Sequence, residues 1–165
     1  MVNKEKLFKE IFQANSKKIY HLCLGYTGDA DAANDLMQET FLKVWQNLEK
    51  FRNQAMISTW IYRIAVNTCL SYLRVEKRQA KDELTEEIID SKAEESSDKN
   101  EQVSLLYRCI AKLEENERII ITLVLDEMPY AEIAEISGIS EGNLRVKIHR
   151  IKQKLTELYN RYERF

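Results

Sequence analysis

The chain is poor in structure breakers, with one proline and four glycines in 165 residues. That scarcity excludes a fold built on turns and short strands, and apolar residues recur at helical spacing through most of the chain. No stretch alternates apolar and polar residues as a half-buried strand would. Cysteine is also scarce. Cys23, Cys69 and Cys109 are odd in number, far apart and set in apolar helical patterns, so they read as reduced core thiols rather than a disulfide framework. With no Cys-x-x-Cys pair and only His21 and His149, no metal site and no cofactor is expected. His21 lies beside an apolar stripe without other ligands nearby and reads as a packing or surface residue. Distant histidines and the lack of a glycine-rich phosphate loop leave no catalytic constellation, so neither an enzyme nor a small-molecule substrate is expected. The longest apolar run, Ile119 to Leu125, is too short to span a bilayer, and Met1 to Lys6 lacks the apolar region of a secretory signal. A cytoplasmic protein is expected.

What is abundant is charge, unevenly spread. Residues 1–80 carry 12 Lys and Arg against 8 Asp and Glu, residues 81–140 carry 6 against 16, and residues 141–165 carry 7 against 3. Net charges are thus +4, -10 and +4. Two basic ends around an acidic middle suggest two nucleic-acid contacts held apart by a segment that DNA repels. The apolar pattern lapses from about Gln79 to Asn100, which marks a flexible acidic linker. The fold class expected is all-α: helical domains at 1–78 and 101–165, joined by 79–100.

In the first domain, Lys4 to Tyr26 reads as a helix, with an interruption of its stripe at Ala14 to Lys18 that marks a bend or break. Gly28 ends it and Asp29 caps the next. Met37, Phe41, Val44 and Leu48 then share a buried stripe, while Asp35, Gln38, Leu42 and Gln46 share another side. A further helix is expected to start at Ser58 or Thr59 as cap and to bury Ile61, Ile64, Ala65, Thr68 and Tyr72. Trp60, Arg63, Asn67, Ser71 and Arg74 form its outward row. A large aromatic, two arginines and an amide suit a polyanion that offers bases to stack on and phosphates to pair with.

In the second domain, Val103, Leu106, Cys109, Ile110 and Leu113 form an apolar stripe and Ile119 to Leu125 the centre. Pro129 suits a first helical position, Gly138 a turn, and Ser140 the cap of a helix running through Tyr159. Helix, glycine turn and capped basic helix describe a helix-turn-helix. At about 100° per residue, Leu144, Ile148, Ile151, Leu155 and Leu158 fall on one side of the last helix. Arg145, Val146, His149, Arg150 and Gln153 fall opposite, placed to enter a major groove, with Lys147, Lys152 and Lys154 flanking toward phosphates.

The segments DLMQETFLKVW, FRNQA and TWIYRIAVN resemble region 2 of the extracytoplasmic-function sigma factors of bacterial RNA polymerase. YAEIAEISGISEGNLRVKIHR resembles region 4 of the same family, so the likeness covers nearly all but the linker. It implies that Asp35, Gln38, Glu39 and Leu42 dock on the clamp helices of the polymerase's largest subunit. From the residues alone, an ordinary solvated face is the preferred reading of that side, although a polar rim around an apolar Leu42 also suits a partner. The family also implies that Phe51-Arg52-Asn53-Gln54-Ala55 and the following helix melt a minus-10 element and hold a flipped base. The expected minus-10 residues are Phe51, Arg52, Asn53, Trp60, Arg63, Asn67 and Arg74; the minus-35 residues are Arg145, Val146, Lys147, His149, Arg150 and Lys154. Expected partners are core RNA polymerase, promoter DNA and an anti-sigma protein. The linker is either a spacer or a segment threading the polymerase's channels. The sequence departs from the family's common residues at Asn53, Ile57, Ser71, Val75, Asn143 and Val146, which bears on the promoter sequence rather than the fold. An autonomous helix-turn-helix regulator is the alternative, although a sensor domain has no need of the row at Trp60, Arg63, Asn67 and Arg74.

Overall fold

The computed structural model describes residues 3–52, 56–82 and 98–163, and the described residues are helical apart from short connections. Helix α1 (Lys4–Thr27), α2 (Ala30–Asn47) and α3 (Ile57–Asp82) form the first bundle, with a 3₁₀ turn at Leu48–Lys50. Helices α4 (Asp98–Ala111), α5 (Glu115–Leu125), α6 (Tyr130–Ser137) and α7 (Glu141–Glu163) form the second. Most of the acidic linker expected at 79–100 lies outside the described residues, but α3 continues to Asp82 and α4 already begins at Asp98.

Local chemistry explains the boundaries. Asn3 caps α1, its Oδ1 accepting from Glu5 N at 3.0 Å. Gly28 leaves α1 at φ 70, a left-handed conformation that suits glycine, and Asp29 accepts from the N–H groups of Asp31 and Ala32 to start α2. The break expected at Ala14 to Lys18 is absent. Asn15 is buried and donates to Ile11 O at 2.9 Å, so its amide is satisfied within a continuous helix. Neither Ser58 nor Thr59 caps α3. The helix begins at Ile57, Trp60 N donates to Met56 O, and Thr59 is buried inside.

The α2 stripe is largely as expected, with Phe41, Val44 and Leu48 buried and Met37 packed against them. Phe8 meets Phe41 and Trp45 edge-on, at centroid distances of 6.3 and 5.2 Å, and so pins α1 to α2. In the second bundle, Cys109, Ile110, Leu113 and Ile119 to Leu123 are buried, but Val103 is half exposed and Leu125 nearly so. Residues 101–103 are all exposed, so α4 starts to pack one turn later than its apolar pattern suggests. All three cysteines are buried thiols, and Cys23 and Cys69 join α1 to α3 with Sγ atoms 3.8 Å apart.

The bundles pack directly against each other and share one apolar core, α1 lying on α4 and α5, and α3 on α6. At the crossing of α1 and α5, a Cβ added to Gly25 would run into the Thr122 side chain, so with threonine opposite this approach calls for glycine. Arg118 donates to Tyr26 O at 2.7 Å and lies over the Tyr26 ring. His21 Nδ1 stands 3.9 Å from Asp126 Oδ1, and Arg63 donates to Glu135 Oε1 at 3.2 Å. This seam is also poorly satisfied. The hydroxyls of Tyr26 and Tyr62, Arg118 Nε and Asp126 Oδ2 are buried without a hydrogen-bond partner among the described residues. Tyr26 lies under Arg118 of the other bundle, and the Tyr62 hydroxyl feels the charges of Asp126 and Glu132. Unpartnered buried groups cost about 1–3 kcal/mol each, so the contact is shape-matched but electrostatically expensive. Burial accordingly raises the Asp126 carboxyl above its ordinary range, partly offset by His21 and Lys18.

Candidate nucleic-acid interface

The first candidate surface is the outward side of α3 with the loop before it. Helical spacing leaves Arg63, Asn67 and Arg74 exposed while Ile61, Ala65 and Thr68 are buried behind them. Phe51 and Trp60 are half-buried and meet with ring centroids 5.1 Å apart, so the expected aromatics converge into one surface. Phe51 is held by its N–H donating to Leu48 O at the end of the 3₁₀ turn. Arg52 is exposed beside it, and Asn53 lies outside the described residues. Arg63 of this row reaches the other bundle, through Glu135.

A second surface lies on α2. Asp35, Gln38, Glu39 and Leu42 are all exposed, and Leu42, at 56% exposure, is among the most exposed large apolar side chains. Glu39 is tied to Lys43 at 3.2 Å, and Lys43 also donates to Thr68 of α3, so this side is braced from behind. An apolar residue standing in a polar surround suits a protein partner.

The third surface is α7. Gly138 turns the chain at φ 72 and Ser140 Oγ accepts from Asn143 N at 3.3 Å, which starts the helix as expected; it then continues beyond Tyr159 to Glu163. Leu144, Ile148 and Ile151 are buried, whereas Arg145, Val146, His149, Arg150 and Gln153 are exposed together. Lys147 is half-buried at the flank. Lys154 differs from its neighbours: it donates to Glu117 Oε1 at 2.6 Å, and Glu117 Oε2 accepts from Glu114 N. Burial of Glu117 works against ionisation, but the Lys154 hydrogen bond, the Glu114 N–H and the nearby lysine charges hold its carboxyl below the ordinary range. The same bond raises the Lys154 ammonium. Lys154 therefore braces α7 against the start of α5 rather than standing free for a phosphate. Two residues not expected at this surface are Tyr130 and Glu141, both of which touch Arg145. The i, i+4 spacing of Glu141 and Arg145 is readable in sequence, but the approach of Tyr130 from α6 depends on the fold.

A helix-turn-helix with an open basic face, and a separate helix with an aromatic and arginine face, match two family models in chain order: Sigma-70 region 2 over residues 11–79 and Sigma-70, region 4 over residues 104–155. The chain is a sigma factor, a subunit that directs RNA polymerase to promoters and does no chemistry of its own. It is 29% identical over 155 residues to the ECF RNA polymerase sigma factor SigM of Bacillus subtilis (strain 168), covering 92% of this chain and 94% of that protein. It is 32% identical over 164 residues to the ECF RNA polymerase sigma-E factor of Escherichia coli (strain K12), covering 92% and 85%. It belongs to the extracytoplasmic-function (ECF) sigma factors. The fold is shared with the sigma factor RpoE in its co-crystal structure with the anti-sigma factor NepR from Bartonella quintana, at TM-score 0.77 and 21% identity over 94% of this chain and 98% of that one. CnrH in complex with the cytosolic domain of CnrY matches at TM-score 0.71 and 18% identity, over 96% and 90%. Among the described residues, no helix is long and apolar enough to cross a membrane.

Proposed function

We infer that this sigma factor divides its work between the two bundles, residues 1–78 docking on polymerase and opening the minus-10 element and residues 101–165 reading the minus-35 element. The convergence of Phe51 on Trp60, beside exposed Arg63, Asn67 and Arg74, carries the first assignment. Extracting a base costs a few kcal/mol of stacking and pairing, which an aromatic surface and an amide partner offset. Asn53 belongs to the same assignment by its place in the sequence, next to Arg52. Asp35, Gln38, Glu39 and Leu42 dock on the clamp helices of the polymerase's largest subunit. On α7, Arg145, Val146, His149 and Arg150 face base edges and Lys147 the phosphates, while the engagement of Lys154 with Glu117 makes it a brace. The protein acts in the cytoplasm, where core polymerase is. An anti-sigma protein is a further partner, on the analogy of RpoE with NepR and CnrH with CnrY.

Reading both elements requires the seam to open. Elements named minus-10 and minus-35 lie about 25 base pairs apart, or about 85 Å at roughly 3.4 Å per pair. A compact chain of this length has a diameter of only about 40 Å, from a radius of gyration near 15 Å. Opening also frees Arg63 from Glu135. The test of the assignment is a holoenzyme assay with Leu42→Glu, an exposed position where a charge leaves the fold intact. It should abolish binding to core polymerase while isolated minus-35 DNA is bound as before. Unchanged polymerase binding overturns the docking surface.

A further inference from the structure

Arg145 near the start of α7 forms a unit with two side chains that the reading above leaves without a task, Glu141 on α7 and Tyr130 on α6. Arg145 Nη2 donates to Glu141 Oε1, 3.1 Å away and one turn earlier. Its guanidinium carbon also stands 5.1 Å from the centre of the Tyr130 ring, the first residue of α6. Arg145 is thus held from two directions, by an acid on its own helix and by a ring on the preceding helix of the motif. Both arginine and acid remain exposed, so the unit stands on the open face rather than in the core.

A carboxylate on a surface that meets phosphates weakens attraction to any DNA, whatever its sequence. An acid in the first turn also suits the dipole of α7, but the bond to Arg145 gives Glu141 a second effect, on the arginine. A guanidinium presents five N–H groups in a fixed fork, of which the bond to Glu141 engages one nitrogen and leaves others to face outward. A long side chain that is ordered before binding loses less freedom when it pairs with a base. The Tyr130 ring beneath the guanidinium and the bond to Glu141 together restrict where the fork can lie.

We propose that Tyr130 and Glu141 are positioning residues that hold the Arg145 fork in one orientation, and so set how sharply this sigma factor discriminates one base pair of the minus-35 element. The proposal rests on the assignment of Arg145 as a base reader. The fitting target is a guanine, whose O6 and N7 accept a bidentate arginine in the major groove.

The experiment measures binding of holoenzyme, carrying full-length sigma factor, to promoters varied singly at each minus-35 base pair and to unrelated DNA. Arg145→Ala should lose preference at one base pair, by about 5- to 150-fold. Tyr130→Ala should lose part of the preference at that same pair, about 2- to 5-fold, and Tyr130→Phe should keep it because the ring face is retained. Glu141→Gln should move two readouts in opposite directions, raising affinity for unrelated DNA while lowering discrimination at that pair. A purely structural role for either residue lowers affinity at every pair alike. If Arg145→Ala changes no base preference, the base-reading assignment under the proposed function fails and takes this proposal with it. If Arg145→Ala does change it but Tyr130→Ala and Glu141→Gln leave discrimination intact, the assignment stands and the positioning role is overturned.

Discussion

The two helices proposed to face DNA, α3 and α7, differ in how far they are already committed within the free protein. On α7 the outward row from Arg145 to Gln153 is exposed, with Arg145 held by Glu141 and Tyr130 of its own bundle, and Lys154 at the flank braces the domain. On α3 the row is partly engaged: Trp60 packs on Phe51, and Arg63 is paired with Glu135 across the seam. In the closed arrangement the face proposed for the minus-35 element is therefore available while the face proposed for the minus-10 element is held. The seam has good shape but unsatisfied polar atoms, and such a contact is suited to being exchanged for another.

The largest effect is expected where shape alone holds the seam. Gly25→Val should drive α1 from α5, because its side chain would occupy the space of the Thr122 hydroxyl; overpacking of this kind costs roughly 1–3 kcal/mol. Small-angle scattering of the free protein should show a larger radius of gyration, and Thr122→Ala in the same chain should restore the compact form. An unchanged radius in the single mutant would mean that α1 and α5 do not meet as described.

Two substitutions on α3 and its loop come next. Phe51→Ala and Asn67→Ala should leave polymerase binding and minus-35 recognition intact but slow promoter opening, since a stacked base is worth about 1–3 kcal/mol. A template with a pre-melted minus-10 bubble should restore transcription, followed with a fluorescent base analogue. Equal failure on duplex and bubble would make these residues part of the core or the docking surface. On α7, Arg150→Ala should cost about 1–3 kcal/mol at the minus-35 element and relax one base pair if it makes a bidentate contact. Uniform loss over all promoter variants would remove it from the base-reading row.

The smallest effect concerns the seam's charge. The Asp126 carboxyl is raised by burial, so closure favours its protonated form. Its contribution to closure is complete below the ordinary value of 3.8 and is lost as pH rises through the raised value. His21 and Lys18 oppose this shift, while the Tyr62 and Tyr107 hydroxyls face the same charge. Asp126→Asn should keep the seam closed with a flatter pH dependence above the ordinary carboxylate value of 3.8, read by fluorescence transfer between labels on α1 and α5; an unchanged pH dependence would remove Asp126 from the seam's titration.

Helical periodicity made both bundles legible in sequence. The inward rows through Phe41, Val44 and Leu48 and through Leu144, Ile148 and Ile151 follow from spacing alone, as do the turns at Gly28 and Gly138. Asn15 misled because a polar residue in an apolar stripe looks like a break, whereas its amide bonds to the carbonyl one turn back. Val103 misled because an apolar pattern says which side a residue occupies, not whether a partner covers it. The seam was illegible for a deeper reason. Gly25 against Thr122 and Arg118 on the Tyr26 carbonyl are contacts between residues distant in sequence, and neither glycine nor a backbone oxygen carries a side-chain pattern. The candidate surfaces were readable as rows, but the capture of Lys154 and the hold on Arg145 required the fold.

The most direct test of the account fixes the seam and asks whether the sigma factor still works. A Cβ at Gly25 would lie 3.3 Å from Thr122 Cβ, close to the roughly 3.5–4.5 Å that a disulfide spans, so Gly25→Cys with Thr122→Cys can join α1 to α5. The measurement is transcription by holoenzyme from a duplex promoter carrying both elements, with the double variant oxidised and then reduced. The account predicts background transcription when the bridge is formed and recovery on reduction, because one closed molecule cannot span both elements. Full transcription from the bridged protein would contradict it.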